Sequence, residues 1–527
     1  MDVVTAARMR EIDLQAIQDY GIPSVVLMEN AGLRVAEAIR EGGSGANIVI
    51  VAGRGNNGGD GFVVARHLFQ EKYVSVWTTA SLDEYEGAAR VNFSILQKLG
   101  ISHRNLQEEG ALAALASALA QADLVVDALL GTGIARDVEP FYAAIIKLLN
   151  AGKAPVLSVD IPSGVCADTG KIRGMAVQAK MTITFGLPKQ GLLLFPGAAF
   201  TGRLEVAQIG IPPALLTGSS CTLLTAATVG SMIPQRPADA HKGTFGTVLL
   251  VGGSLGMSGA LTLAARAALR GGCGLLFAAT PRSVQQIVAG QVAEAMTIPL
   301  PESSSGYLQR DALDLLREKW SSCQAVAVGP GLTQNEEILP VLAGVLSECP
   351  LPVVLDADAL NLLARHPGLL AGRRAPLILT PHPGEAARLL SCSSAEIQAD
   401  RLGAVREMAK IFRSIVVLKG AHSLVCSPDG KTSFNVTGNS GMATAGCGDV
   451  LTGLLAALIA QGLDALSAAR LGVYLHGLAG DLAVKITGQS ALLAGDVIEH
   501  ISQAYLETTK IHMERGVGKN VGERSND

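Results

Sequence analysis

Short apolar, β-branched runs alternate along the chain with segments whose apolar positions fall at helical spacing. In the first half the runs are NIVIVAG, VSVWTT, LVVDALLG, VLSVDIP, MTITFG and LEVAQIG; in the second they are TVLLVGG, GLLFAAT, AVAVGPG, VVLDADA, LILTPHP and IVVLKG. Strands separated by helical segments pair in parallel through crossovers, so the pattern predicts an α/β chain built on parallel sheets. Between the halves lies IPPALLTGSSCTLLTAATVGSMIPQRPADAHKG, rich in Pro, Gly, Ser and Thr, which predicts a domain boundary. The expected organisation is a first domain over 1–215, a linker over 216–235, a second domain over 236–510 and a flexible tail over 511–527. The tail is charged and glycine-containing, with no apolar period to hold it. The halves share a layer architecture but no short sequence repeat.

Composition narrows the class. A chain of 527 residues exceeds one ordinary core, so two domains of roughly 200–300 residues are expected. With 49% hydrophobic residues, 17% charged and 60 glycines, it reads as well-buried α/β structure with many tight turns, neither disordered nor fibrous. A formal net charge of −4 supplies no field for nucleic acid or an anionic membrane, and neither is expected as a partner. The eight cysteines are scattered, with no CxxC pair or metal-ligand spacing, and read as small core residues in a reducing compartment. The start, MDVVTAARMREIDLQAIQDYGIP, lacks a basic region followed by an apolar run. A soluble cytoplasmic protein is the expectation.

The stretch NSGMATAGCGDVLTGLL, residues 439–455, carries the first candidate chemistry. A glycine-rich loop that opens a helix is an anion cradle, because unpaired N–H groups converge and the helix dipole adds positive potential. Asp449 at the helix start then stands beside a bound phosphoryl group, placed to take a proton from an attacking hydroxyl. VLKGAHSLV sets Lys419 and Gly420 at a strand end, followed by His422 and Ser423, types suited to phosphate and ribose. LTPHPGE places His382 at another strand end, and VGPGL makes a tight turn with Gly329 and Gly331 around Pro330. Strand ends of an open α/β sheet are where such ligands collect. No GxxxxGK[ST] loop is present, so this is not a P-loop phosphate binder.

These residues carry a resemblance. A strand-end lysine followed by a GxGD loop resembles the ribokinase-like superfamily. The fuller set HKGTFGTVLLVGGSLGMSGA, GPGL, DADALN, LTPHPGE, KGAHS and TGNSGMATAGCGDVLTG resembles the ADP- or ATP-dependent NAD(P)H-hydrate dehydratases over nearly the whole second half. The resemblance implies that Lys419, Gly420, Ala421, His422, Ser423 and Gly448 hold the adenine nucleotide. It also implies that Ala260, Gly331, His382 and Asp449 face the hydrated nicotinamide nucleotide. Mg²⁺ is expected with the ADP or ATP co-substrate. Cys447 stands where Ser, Thr or Gly is expected; its amide still serves, and it is not read as a nucleophile.

In the first half, NIVIVAGRGNNGGDGFVVARHL is a strand, a glycine loop and a helix, in which Gly53, Gly55 and Gly58 satisfy GxGxxG. Asn56, Asn57 and Asp60 crowd polar side chains where backbone would meet a pyrophosphate, which argues against a hydride-transfer cofactor domain. LVVDALLGTGIAR adds Asp127 and the turn Gly131-Thr132-Gly133, and LSVDIPSGV adds Asp160 and Ser163. Asn57, Asp127 and Ser163 offer hard oxygens, suited to an alkali or alkaline-earth ion. Together with MREIDLQAIQDYGIPSVVLMENAG, these motifs resemble the NAD(P)H-hydrate epimerase domain over most of 1–215. That resemblance implies a Rossmann-like three-layer fold. It implies that Asn56, Asn57, Gly58, Gly59 and Asp60, with Gly131, Thr132, Gly133, Ile134, Ala135 and Arg136, line the nucleotide. It implies potassium on Asn57, Asp127 and Ser163, and Asp160 at the nicotinamide ring as the acid–base residue.

The whole chain thus resembles the fused NAD(P)H-hydrate repair enzymes: a Rossmann-like epimerase followed by a ribokinase-like dehydratase. The fusion is chemically reasonable, since hydration at C6 makes two epimers and a chiral phosphotransfer site accepts one. The rival reading is a ribokinase-like small-molecule kinase fused to a nucleotide-binding module. Small-molecule substrates and self-association into a homo-oligomer are expected.

Overall fold

The structure, a computed structural model, describes residues 1–520 apart from Ser44 and Ala135. The chain divides into two compact units, Asp2–Ser220 and Cys221 onward, with Met1 counted with the latter. Part of the expected linker is regular structure: it contains a strand, Cys221–Leu223, and a helix, Ala226–Gly230. The expected tail begins inside a helix, Ala494–Asn520. Residues 521–527 lie outside the described residues. Among the described residues, no helix is long and apolar enough to cross a membrane.

The first unit opens with β1 (Asp2–Val3), followed by a bridge from Val4 to Lys189. Its sheet is built from β2 (Asn47–Ala52), β3 (Tyr73–Thr78), β4 (His103–Asn105), β5 (Leu124–Ala128), β6 (Val156–Val159), β7 (Met181–Phe185) and β8 (Arg203–Ala207). The order is β4-β3-β2-β5-β6-β7-β8, and every pairing is parallel. Alternate residues of β2 face opposite cores. Ile48 and Ile50 join the core that includes Met28, Phe62 and Phe93, while Val49 and Val51 join that of Leu115, Ile145 and Leu149. Helices therefore cover both faces, the three-layer arrangement expected. Strand order reverses between β2 and β5, and the crevice beyond their carboxyl ends is the topological switch point of an open sheet.

The second unit carries β9 (Cys221–Leu223), β10 (Thr247–Val251), β11 (Leu275–Pro281), β12 (Met296–Leu300), β13 (Ala325–Val328), β14 (Val353–Leu355), β15 (Leu377–Leu379), β16 (Ile415–Leu418), β17 (Leu424–Cys426) and β18 (Thr432–Phe434). Within this unit the order runs β9-β18-β17-β16-β15-β14-β13-β10-β11-β12. From β16 to β12 the pairing is parallel. The sheet departs from the all-parallel expectation at β16–β17 and β17–β18, which are antiparallel. Short loops joining Leu418 to Leu424 and Cys426 to Thr432 leave no room for a crossover helix. The helix Cys447–Ala460 is buried from Val450 to its end, where Thr452 is the one polar side chain in an otherwise apolar run. Gly453 lets it lie against the helix Ser258–Arg270; a Cβ there would overlap the Ala264 carbonyl oxygen.

Candidate functional site

In the first unit β2 ends at Ala52, and the chain turns through Gly53–Gly55 into the helix Asn56–Leu68. The turn is compact enough that a Cβ on Gly58 would overlap the Gly53 carbonyl oxygen. The first backbone bond of that helix runs from Gly59 N–H to Gly55 O (3.2 Å). The amides of Asn56, Asn57 and Gly58 are therefore unpaired by the helix and face its positive end. Asn56 and Asn57 line a cavity of about 980 Å³ together with Asp60, Gly131, Thr132, Gly133, Ile134, Arg136 and Asp160. Gly58 and Gly59 do not line it: Gly58 packs on Gly53, and Gly59 on Met28 and Ala89. Ala135 lies outside the described residues.

Asp127 and Ser163 sit behind this cavity. Asp127 is fully buried and accepts from Ser163 Oγ (2.6 Å), Ser158 Oγ (2.8 Å), Ser163 N (2.9 Å) and Leu129 N (3.3 Å). Burial pushes its carboxyl up, opposed by these hydrogen bonds. Leu130 joins the set: its N–H donates to Ser163 Oγ (2.8 Å), and its carbonyl accepts from Asn57 Nδ2 (3.2 Å). Asn57 Oδ1 is buried and has no hydrogen-bond partner among the described residues. An orphaned amide oxygen beside hydroxyl, carbonyl and carboxylate oxygens is a donor set that fits a hard monovalent cation.

Asp160 follows β6 in a left-handed backbone conformation, φ 64°, which an aspartate adopts only when its surroundings hold it there. The holding group is Lys189, 1% exposed, whose ammonium donates to Asp160 Oδ1 (2.5 Å), Thr184 Oγ1 (3.0 Å) and Phe185 O (3.1 Å). Thr184 Oγ1 (3.0 Å) and Phe185 N (3.2 Å) also donate to Asp160 Oδ1. Four more carboxyls line the cavity: Asp13, Asp60, and the exposed Asp137 and Glu139. Asp13 is pushed up to about 6 by burial, with Lys189 opposing and Asp160 reinforcing. Asp60 is raised well above its ordinary value by burial and then by Asp160 and Asp13. The sequence reading missed Lys189 and Asp13. Each left a trace: Lys189 is a lone charge in an apolar strand-end loop, and Asp13 follows Met9 by one helical turn on a buried stripe.

In the second unit the candidate residues follow four adjacent parallel strands. Gly329 and Gly331 follow β13, Asp356 follows β14, His382 follows β15 and Lys419 follows β16. Gly331 (φ 64°) comes so close to Met257 O and Ala260 Cβ that its own Cβ would lie 2.5 and 3.2 Å from them. His382 caps the helix Pro383–Leu390: its Nδ1 accepts from Gly384 N (3.0 Å) and Glu385 N (3.4 Å), and Glu385 accepts from its N–H (2.8 Å). Half of its ring remains exposed. Burial, then Lys419 and Arg388, lower it and favour the neutral imidazole.

Lys419 is held by Asp356, with Nζ to Oδ1 at 2.6 Å, and Thr452 Oγ1 donates to Asp356 Oδ2 (2.7 Å). Burial alone would lower the ammonium, but Asp356, Glu385 and Asp449 outweigh it and raise it. The KGAHS turn (Gly420 φ 130°, His422 φ 53°) wraps the buried Arg401, which donates to the carbonyls of Leu418, Lys419 and His422. Gly420 and Ala421 face solvent, and Ser423 Oγ donates to Gly420 O (3.2 Å). Gly446 (φ 91°) turns the chain into the helix Cys447–Ala460, whose first bond is Val450 N–H to Gly446 O (3.1 Å). The amides of Cys447, Gly448 and Asp449 are left unpaired by the helix, and the Cβ position of Gly448 lies 3.2 Å from Lys419 Nζ. Asp449 is pushed up to about 7 by burial and Asp356, with Lys419 opposing and Asp358 reinforcing. The Cys447 thiol is pushed up to about 11 by burial, with Asp449 reinforcing, so no thiolate stands beside the loop. Asp356 and Glu385 were not singled out from sequence, although both lie in the motifs DADALN and LTPHPGE.

Comparisons with known proteins agree with this division. The family model described as NAD(P)H-hydrate dehydratase matches residues 248–503, and that described as YjeF-related protein N-terminus matches residues 24–191. A bifunctional NAD(P)H-hydrate repair enzyme of Moorella thermoacetica is 49% identical over 508 residues, covering 95% of this chain and 96% of the relative. A second, from Thermofilum pendens, is 40% identical and covers 96% of each chain. Among solved structures, an ADP/ATP-dependent NAD(P)H-hydrate dehydratase from Bacillus subtilis, co-crystallised with ATP/Mg²⁺, is 31% identical with a TM-score of 0.48. It covers 55% of this chain and 98% of its own.

Proposed function

The chain belongs to the bifunctional NAD(P)H-hydrate repair enzymes, and from that premise we propose how its two sites divide the work. The first unit epimerises the R and S hydrates of NADH and NADPH; the second dehydrates the S hydrate to the reduced nicotinamide nucleotide. Asp449 is the base of the second site. It takes the proton of the C6 hydroxyl as that oxygen attacks the terminal phosphorus of ADP or ATP, with AMP or ADP leaving. The unpaired amides of Cys447 and Gly448 receive the transferring phosphoryl group, and Lys419 neutralises charge beside it. Phosphate is a far better leaving group than hydroxide, so the ring-nitrogen electrons expel it and loss of the C5 proton restores the dihydropyridine. Mg²⁺ accompanies the nucleotide. Ala260, Gly331 and His382 border the hydrated ring.

In the first site Asp160 touches the nicotinamide ring, and the amides of Asn56 and Asn57 bind the nucleotide phosphates. Asn57, Asp127 and Ser163 would hold potassium, which would supply fixed positive charge to this site. The observation that carries this reading is that Lys419, just past β16, lies beside Gly448 and Asp449 at the start of the helix Cys447–Ala460, in a chain with full-length relatives of this activity. Product analysis tests it against the kinase alternative. Dehydration releases one free phosphate per NADH regained, whereas a kinase accumulates a phosphorylated substrate and frees none.

A further inference from the structure

Epimerisation at C6 of a hydrated nicotinamide ring breaks and remakes a C–O bond, and each half needs a proton moved. Ring-nitrogen electrons form N1=C6 as the hydroxyl departs, and the hydroxyl must gain a proton to leave as water. Water then adds to C6 from the opposite face and must lose one. A cavity doing this needs an acid and a base together.

Asp160 has the form of the base. Every donor to its carboxylate among the described residues lands on Oδ1, and Oδ2 accepts none. With its side chain 17% exposed to the cavity, Oδ2 is the oxygen left for water. Lys189 cannot be the acid: its ammonium is committed to Asp160, Thr184 and Phe185, and it is sealed from solvent. Arginine is not deprotonated in proteins, so the guanidinium groups that line the cavity, Arg10, Arg54 and Arg136, supply hydrogen bonds and not protons. Four carboxyls remain, and two of them, Asp137 and Glu139, are exposed, with Glu139 paired to Arg136. The other two, Asp13 on the helix Ala6–Gln18 and Asp60 on the helix Asn56–Leu68, share Lys189 with Asp160.

We propose that Asp13 donates the proton to the departing C6 hydroxyl, while Asp160 Oδ2 receives the proton of the water that re-adds. The assignment rests on the reading of this cavity as the epimerase site. Asp13 is preferred to Asp60 because its side chain is partly open to the cavity whereas Asp60 is 8% exposed. Held near 6, it keeps a protonated fraction close to neutrality and gives the proton up readily. Asp60 lies well above that and keeps its proton. Over one turnover Asp13 loses a proton and Asp160 gains one, and exchange through solvent returns it. Atoms and charge balance, and no redox partner is needed.

The test uses the full-length protein and chromatographically separated R NADH hydrate, without adenine nucleotide, following appearance of the S epimer. Wild-type kcat/KM should fall as pH rises through about 6, as Asp13 ionises. Asp13→Asn should lower kcat by about 10²–10⁴, leave KM within about threefold, and abolish that fall, with Asp13→Glu restoring part of the rate and the fall. An Asp13→Asn protein with wild-type rate, or with reduced rate and the fall intact, overturns the assignment. So does loss of the fall in Asp60→Asn alone. If the wild-type protein interconverts no epimers, the epimerase reading fails first and Asp13 with it.

Discussion

Lys419 Nζ stands 2.6 Å from Asp356 Oδ1, so the cation beside the glycine loop is anchored to a buried acid and not to Asp449. The pairing sets the electrostatics of Asp449, which Lys419 pulls down and Asp356 pushes up. Asp356 is 1% exposed and also accepts from Thr452, so Asp356→Asn leaves the largely buried ammonium to the more distant Glu385 at 3.8 Å. The expected cost is about 3 kcal/mol in urea unfolding. Lys419→Met should move the acid limb of the dehydration profile up by about one pH unit, because it removes the positive charge; Asp356→Asn should move it down. Shifts of opposite sign to these would contradict the arrangement.

The pH dependence of the wild-type second site has a definite sign. Asp449 must be ionised to accept a proton, and in the ligand-free protein it sits at about 7. For the dehydration step, kcat/KM should rise about tenfold per unit below that value and level off above it. A profile flat from pH 5 to 8 would remove Asp449 from the base role.

Two glycines of the anion loop should respond differently to alanine. At Gly446, φ is 91° and an added Cβ would meet Leu263 Cδ1 at 2.5 Å, so Gly446→Ala should destabilise by about 1–2 kcal/mol. Gly448 lies in the first helical turn, where alanine is a good residue, but its methyl would stand 3.2 Å from Lys419 Nζ in the cradle. Gly448→Ala should therefore keep its thermal midpoint while the adenine nucleotide KM rises about tenfold or more. Equal loss of stability in both variants would show that the loop is structural only.

Removing potassium tests the orphaned oxygen. If Asn57 Oδ1 is a cation ligand, replacing K⁺ by a tetraalkylammonium ion should slow epimerisation. Asn57→Ala should raise the K⁺ concentration for half-maximal rate by about tenfold or more. Titration of epimer interconversion against K⁺ in both proteins measures it. An unchanged midpoint in Asn57→Ala would exclude the ligand role.

Periodicity and punctuation made most strands legible, because buried parallel strands are unbroken apolar runs. The strand His103–Asn105 escaped since three polar residues at a sheet edge carry no such signal. Thr432–Phe434 and Leu424–Cys426 are short and antiparallel, set by a tight turn more than by length. In the sites, loop residues announced themselves by glycine and by position after a strand. Lys189, Asp13 and Asp356 did not, because their roles come from burial and mutual charge, and no linear pattern shows which acid meets which lysine.

The most direct measurement is recovery of absorbance in the reduced-nicotinamide band after mixing the protein with mixed-epimer NADH hydrate, Mg²⁺, K⁺ and either ADP or ATP. The account predicts full recovery with wild type, none with Asp449→Asn, and with Asp160→Asn a halt at the S epimer's share. Recovery by Asp449→Asn at the wild-type rate, or recovery without any adenine nucleotide, would contradict it.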